Sequence, residues 1–356
     1  MDTAIFGTTK QIYDRLEDAL SKTVFENRLL WNLTGDYKFI DNIIKTFPEF
    51  DSHNRDAIND HFLQQNREII AYGRGGVFTS FSLICDKVKL AAVCDGDENK
   101  REMLKERYNV ISPEELKIRF PESYVVITTL SDKYNSEIYE NLVRMGFQRE
   151  QILVFKDFLK SRGSELFPPY FVPGIVKPVA QDEVFIDAGC FNGNDCVEFK
   201  KWCGGSYKKI IAFEPNPAQY QKCKDILKDF GNLEIYPYGL WNENTELRFY
   251  EWGPGSRISK NQEEETTTIK TVKLDGILNG EKATFIKMDI EGAELNALKG
   301  AEQTILKHRP KLAVCVYHKL EDIWEIPSYI LSLHNDYKIY FRQHSVRQTE
   351  TVFYAV

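Results

Sequence analysis

Acids and glycines recur at the ends of apolar runs in the carboxyl-terminal half of this chain, and their types suit the holding of a nucleoside. Val184-Phe185-Ile186-Asp187-Ala188-Gly189-Cys190-Phe191-Asn192-Gly193 reads as a strand ending in Asp-x-Gly, followed by a small-residue loop and a helix. A second apolar run, Ile210-Ile211-Ala212-Phe213, ends on Glu214 and is closed by Pro215. In an open α/β sheet the glycine turn brings backbone close to the ligand, and the acid on the next strand takes ribose hydroxyls. The fuller G-x-G-x-x-G set that cradles a pyrophosphate is missing here. The expected ligand therefore carries a nucleoside and no phosphates, and S-adenosylmethionine is the common one. Asp187, Gly189, Asn192, Gly193 and Glu214 are the candidate cofactor residues. Gly239, within Tyr238-Gly239-Leu240, is placed beside the adenine beyond the third strand.

A second set of chemistry-bearing residues follows the fourth apolar run. Asp289 and Glu291 are expected to project into the crevice at the carboxyl end of the sheet, both as cofactor contacts. Asp289 suits binding the methionine amine, orienting an acceptor hydroxyl or accepting its proton. Glu294 falls in a first helical turn, where its charge also offsets the helix dipole. His318 ends the fifth strand, and a histidine titrating near neutrality is a plausible base for an alcohol. His318, Asp322 and His344 are expected to converge if the sheet order holds. Tyr317, Asp322, Arg342 and His344 are the candidate acceptor contacts. Ligand spacing gives a metal held by Asp289, His318 and His344 no support, so none is expected.

The elements that must position these groups are legible in outline. The chain has 356 residues, enough for two domains with their own cores, and its 42% hydrophobic and 28% charged composition is that of a globular protein. A net charge of −7 argues against a broad nucleic-acid-binding face. No run long enough to span a membrane and no signal peptide is seen, so a cytoplasmic protein is expected. The 7 cysteines form no C-x-x-C pair, which argues against structural zinc and a disulfide framework.

Residues 1–66 read as a helical segment, with Ile12, Leu16, Leu20 and Val24 on one face. Residues 67–165 alternate strands and helices as a small parallel α/β domain. There Tyr72-Gly73-Arg74-Gly75-Gly76 with Asp95 imitates a dinucleotide fingerprint, but Phe78 occupies the third glycine position. Residues 166–182 carry Pro168, Pro169, Pro173 and Pro178 and read as a linker whose Tyr170 and Phe171 are docked. Residues 183–356 read as a mostly parallel seven-stranded sheet ending in an antiparallel hairpin, because the last link is too short for a crossover helix. The acidic run Glu263-Glu264-Glu265 reads as a solvated loop. The fold class is α/β in two domains, Rossmann-like and then class I methyltransferase.

With those residues in place, the second half resembles the FkbM-type S-adenosylmethionine-dependent methyltransferases. Phe185 to Gly193, Phe213-Glu214-Pro215-Asn216 and Phe285-Ile286-Lys287-Met288-Asp289-Ile290-Glu291-Gly292-Ala293-Glu294 carry the resemblance. It implies methylation of a hydroxyl, often on a sugar or polyketide, with S-adenosylmethionine and usually no metal. One departure is that Cys315-Val316-Tyr317-His318 lacks the acid that many relatives place just before the histidine. The expected function is O-methylation of a saccharide or glycan precursor by a cytoplasmic enzyme. Its partners would be a small-molecule or glycan acceptor and, where the chain associates, a second copy of itself. The rival readings are a noncatalytic nucleotide-sugar module and an NAD-dependent sugar-modifying enzyme that uses the first domain.

Overall fold

The computed structural model describes residues 3–50, 52–161, 169–179, 181–250, 257–258 and 266–356. The chain divides into two compact units, one of Met1–Asp36 with Leu166–Val356 and the other of Tyr37–Glu165. The expected boundary near residue 165, Pro168 and the run Glu263–Glu265 lie outside the described residues.

In the Tyr37–Glu165 unit, β1 (Ile69–Tyr72), β2 (Leu90–Cys94), β3 (Val110–Ile111), β4 (Tyr124–Ile127) and β5 (Ile152–Val154) form one parallel sheet in the order β3-β2-β1-β4-β5. β1 and β4 are buried along their whole length, as parallel strands covered on both faces must be. The fingerprint-like turn is internally satisfied. Asp95 accepts from the backbone N–H of Arg74 at 2.7 Å and of Asp97 at 2.9 Å. Phe78 is buried against the Tyr108 ring, so core packing takes the place of the third glycine.

The other unit contains β6 (Val184–Ala188), β7 (Lys209–Phe213), β8 (Leu233–Tyr236), β9 (Gly239–Leu240), β10 (Thr245–Tyr250), β11 (Arg257–Ile258), β12 (Thr267–Val272), β13 (Phe285–Met288), β14 (Lys311–Cys315), β15 (Ile339–Gln343) and β16 (Thr351–Ala355). Its main sheet runs β15-β16-β14-β13-β6-β7-β8, with β16 antiparallel to both neighbours. The order reverses beside β6, which opens a crevice at the carboxyl ends of the strands. The stretch before β13 forms a separate four-stranded sheet from β9 to β12. An aromatic core backs the main sheet, with Phe185 and Phe199 stacked at 4.4 Å between centroids. Tyr170 and Phe171 are buried in it. Among the described residues no helix is long and apolar enough to cross a membrane.

The amino-terminal helical face is broken in two. Helices span Thr3–Asp14 and Ala19–Thr34, and between them Leu16 bridges to Ile339 while Asp18 caps the second helix through the Ser21 N–H at 2.7 Å. Capping by a short acid outweighs the apolar periodicity that joins the two on paper. The second helix lies on β15, with Phe25 and Phe341 centroids 5.1 Å apart. Arg342, expected at the acceptor, instead pairs with Asp18 at 2.6 Å and donates to Ser21 Oγ at 2.8 Å. β15 is the edge strand of the sheet, so the helix along it takes up the Arg342 guanidinium through Asp18 and Ser21, and Arg342 does not line the crevice. Met1–Asp36 thus completes this unit, whereas the sequence expects residues 1–66 as one segment.

Replacing Asp18 with alanine should destabilise the chain by about 1–2 kcal/mol in denaturant unfolding, through loss of the cap and its ion pair. Arg342→Ala made in that background should add little; fully additive losses would show that the two side chains are not coupled.

Candidate active site

The crevice is organised around a buried cation. Parallel register sets Lys287 on β13 opposite Asp187 on β6. Lys287 is 1% exposed and Asp187 0%. The Lys287 ammonium donates to Asp187 Oδ1 at 3.0 Å, to the Gly189 carbonyl at 2.8 Å, and pairs with Asp195 Oδ2 at 2.8 Å. All three of its protons have acceptors. Burial would lower its pKa, but Asp187 and Asp195 overcome this and raise it well above the ordinary lysine value. Asp187 also accepts from the Cys196 thiol at 3.2 Å. Asp187, expected as a cofactor residue, does not line the cavity and instead orders the loop through Lys287.

That loop forms the near wall of a cavity of about 380 Å³, a size in the range of small-molecule sites. Gly189 has φ +82°, and a Cβ there would run into the Asp289 carbonyl, so the close approach requires glycine. Gly193, at φ +84°, precedes the helix Asn194–Trp202 and packs on Leu227 and Cys223; it supports the loop without lining the cavity. Asn192, Glu214 and Gly239 do line it. Glu214 accepts the N–H of Phe191 and of Asn216, each at 2.9 Å. Burial raises its pKa to about 7 against the pull of those two N–H groups. Gln219, also on the wall, has a buried Oε1 with no hydrogen-bond partner among the described residues.

At the far end, Asp289 and Glu291 face the cavity together with Tyr170, Tyr317 and Glu350. Asp289 accepts the hydroxyls of Tyr170 at 2.9 Å and Tyr317 at 3.2 Å. Burial would raise its pKa, but Lys287 and His318 outweigh that and hold it low. The turn after β13 is tight: Glu291 sits at φ +54° and Gly292 at φ +92°. Burial lifts the Glu291 pKa to about 7, opposed by His318. Burial and the Asp289 charge likewise lift Glu350 to about 7.

His318 is among carboxylates. Its Nδ1 lies 2.9 Å from Glu294 Oε1, a close ion pair rather than an aligned hydrogen bond. Its Nε2 lies 3.4 Å from Asp289 Oδ1 and 3.3 Å from Glu291 Oε2. Burial alone would lower its pKa, but Glu294, Asp289 and Glu291 raise it to about 10. A ring that keeps its proton at neutral pH is poorly suited to the base role expected from the strand-end position. The acids compensate for the missing upstream carboxylate, and they come from the turn after β13.

The expected convergence of His318, Asp322 and His344 is incomplete. Asp322 is buried, accepts the Lys319 N–H at 2.9 Å and helps end that loop. His344 lies 2.8 Å from the Tyr354 hydroxyl. Neither lines the cavity, whereas Tyr317 does. Sequence reasoning did not take Tyr170, Asp195, Lys287 or Gln219 as site residues, although it read Tyr170 as docked and Lys287 as part of a motif. For Lys287 a signal existed: a lysine inside an otherwise apolar strand needs buried acids. Tyr170 lies in the linker, where nothing local marks it.

Comparison with known proteins gives a consistent result. Residues 187–344 match the Methyltransferase FkbM domain. The chain is similar to the 2-O-methyltransferase NoeI of Sinorhizobium fredii, at 23% identity over 150 residues. That match takes in 36% of this chain and 61% of the relative's length. The fold is similar to the crystal structure of a methyltransferase FkbM from Methylobacillus flagellatus KT, with a TM-score of 0.50 and 18% identity. That likeness covers 92% of this chain and 100% of the other.

Lys287→Met should cost about 3–5 kcal/mol of stability, because it leaves buried acids without their cation. Adding Asp187→Asn should restore part of the loss in denaturant melts; a double variant as unstable as the sum of the singles would argue against a coupled charge cluster.

Proposed function

We propose that this chain, whose residues 187–344 are a methyltransferase FkbM domain, moves a methyl group from S-adenosylmethionine to a hydroxyl of a saccharide or glycan precursor. The observation that carries the reading is a single cavity bounded by Glu214 at one end and by Asp289 and Glu291 at the other. The glycine turn between them allows close backbone approach, and the buried carboxylate of Glu214 suits a ribose diol. The unpartnered Gln219 Oε1 suits an amino group of the base.

Bound S-adenosylmethionine supplies a methyl group already activated on a sulfonium. The chain's task is then mainly alignment, which contributes much of the rate in displacement reactions. Tyr170 and Tyr317 fix the Asp289 carboxylate so that it faces the acceptor oxygen. Asp289, held ionised, orients the acceptor hydroxyl, and Glu291, raised to about 7, takes its one proton as the new bond forms. Lys287 holds the Gly189 carbonyl, and with it the loop against which the cofactor must align.

The saccharide assignment draws on the acceptor end, where two tyrosine rings and several carboxylates suit a polyhydroxylated ring. The relative named a 2-O-methyltransferase supports a hydroxyl acceptor. Radiolabel transfer from S-adenosylmethionine to a panel of saccharides, with amines as the comparison, tests this. Labelling of amines alone would remove the hydroxyl assignment.

Cofactor affinity should depend on pH through Glu214. Its pKa in the unliganded protein, about 7, is above the ordinary glutamate value of about 4.3. A proton is therefore taken up as pH falls through 7, and the protonated acid loses an acceptor for ribose hydroxyls. S-adenosylhomocysteine affinity by calorimetry should fall about tenfold from pH 8 to pH 6. In Glu214→Gln it should be weaker and flatter with pH; an unchanged affinity in that variant would count against the ribose assignment.

A further inference from the structure

We propose that Asp289, Glu291 and His318 form a divalent metal site at the acceptor end of the cavity, with an acceptor hydroxyl filling an open coordination position. The resemblance drawn from the sequence usually implies no metal, so this goes beyond it. Only the acceptor hydroxyl rests on the methyltransferase reading; ion binding itself does not.

The geometry is that of ligands rather than of hydrogen bonds. Asp289, Glu291 and His318 each offer one donor atom, a carboxylate oxygen or a ring nitrogen, and the three lie within 4.8 Å of one another. His318 Nε2 stands 3.4 Å from the Asp289 oxygen and 3.3 Å from the Glu291 oxygen. Metal–ligand bonds of about 2.0–2.2 Å place neighbouring donors roughly 3–3.6 Å apart, which is this spacing. A hydrogen bond from a ring nitrogen would be shorter and aligned.

The histidine is the second, independent observation. Its side chain is 7% exposed, yet neither ring nitrogen has an aligned hydrogen-bond partner among the described residues. Nε2 stands within 3.4 Å of both carboxylates without an aligned hydrogen bond to either. On the other side of the ring Glu294, fully buried, stands 2.9 Å from Nδ1 and is itself fixed by the Ile290 N–H at 2.9 Å. A buried carboxylate on the far nitrogen is the arrangement that orients metal-binding histidines.

The backbone serves the same end. Left-handed Glu291 and Gly292 turn the chain sharply after β13, so that Asp289 and Glu291 both face His318. One imidazole and two carboxylates make a mixed donor set suited to Mn²⁺, Fe²⁺, Co²⁺ or Zn²⁺. Three protein ligands leave positions open. Since Asp289 and Glu291 line the cavity, those positions are where an acceptor hydroxyl would arrive. The ion would also offset the repulsion among Asp289, Glu291, Glu294 and Glu350.

The test uses the full chain, stripped with a chelator. It is titrated with MnCl₂ while the free-ion EPR signal is followed, and with ZnCl₂ by calorimetry. One ion per chain is expected. Glu291→Gln and His318→Gln should weaken binding at least tenfold, and Glu294→Gln about 10–100-fold, as loss of an orienting partner does. Circular dichroism and the denaturant midpoint of the same samples report whether each variant is folded, and S-adenosylhomocysteine binding is measured on the wild-type chain. No saturable site for either ion up to about 1 mM, where even weak sites fill, would overturn the proposal. So would equal ion affinity in wild type, Glu291→Gln and His318→Gln. Ion binding without S-adenosylhomocysteine binding would uphold the site and remove the methyltransferase reading; the reverse result would remove the site alone.

Discussion

A lysine ammonium buried between two strands is the constraint on which the crevice depends. Lys287 could not stay charged there without acids, because an unpaired ion in the interior is costly. Register supplies Asp187 directly across the sheet, and the first turn of the following helix supplies Asp195. The remaining proton goes to the Gly189 carbonyl, so the glycine loop is tied to the same cation that satisfies the two acids. Gly189 then lies so close to the Asp289 carbonyl that a side chain would not fit. One charge cluster therefore fixes both the loop that would meet a cofactor and the strand end that would meet an acceptor.

The two ends of the cavity differ in electrostatics for the same reason. Asp289 lies near Lys287 and His318 and stays ionised despite its burial. Glu214 is stabilised mainly by two backbone N–H groups, which do not fully offset desolvation. Two carboxylates in one cavity thus have different proton affinities, set by distance from the buried cation. Glu291 and Glu350 are raised by burial and by neighbouring negative charge; His318 opposes the rise of Glu291, and Arg347 and then His318 oppose that of Glu350. This concentration of acid is what makes a bound cation physically reasonable at the acceptor end.

Packing explains the unit boundaries better than sequence position does. The helix Ala19–Thr34 covers β15 through Phe25 and is pinned by Asp18 and Arg342, so the amino terminus completes the carboxyl-terminal unit. Tyr170, in a proline-rich stretch, is buried with its hydroxyl on Asp289. Segments that read as a leading helix and a linker are thus part of the frame around the site. In the Tyr37–Glu165 unit, Phe78 and the self-satisfied Asp95 turn make the glycine-rich sequence a packing element.

Local pattern was sufficient for much of this. Apolar runs bounded by glycine, proline and acids marked the seven strands of the main sheet, and the short link after Gln343 required an antiparallel pair. Glu214 and Asp289 directly follow β7 and β13, and Asn192 and Glu291 lie in the turns after β6 and β13, so the parallel strands deliver them to one edge; Gly239 reaches the same cavity from the start of β9 in the second sheet. What the sequence did not hold was the identity of each side chain's partner. Arg342 was a candidate as a flank of the terminal hairpin and His344 through the sheet order, but Asp18 with Ser21 and the Tyr354 hydroxyl took them elsewhere. The short β3 and the break at Asp18 were hidden because periodicity over a few residues is overridden by caps and bridges. Above all, only the tertiary structure could surround His318 with acids from another strand's turn, and set Lys287 against Asp187 through register between strands 100 residues apart.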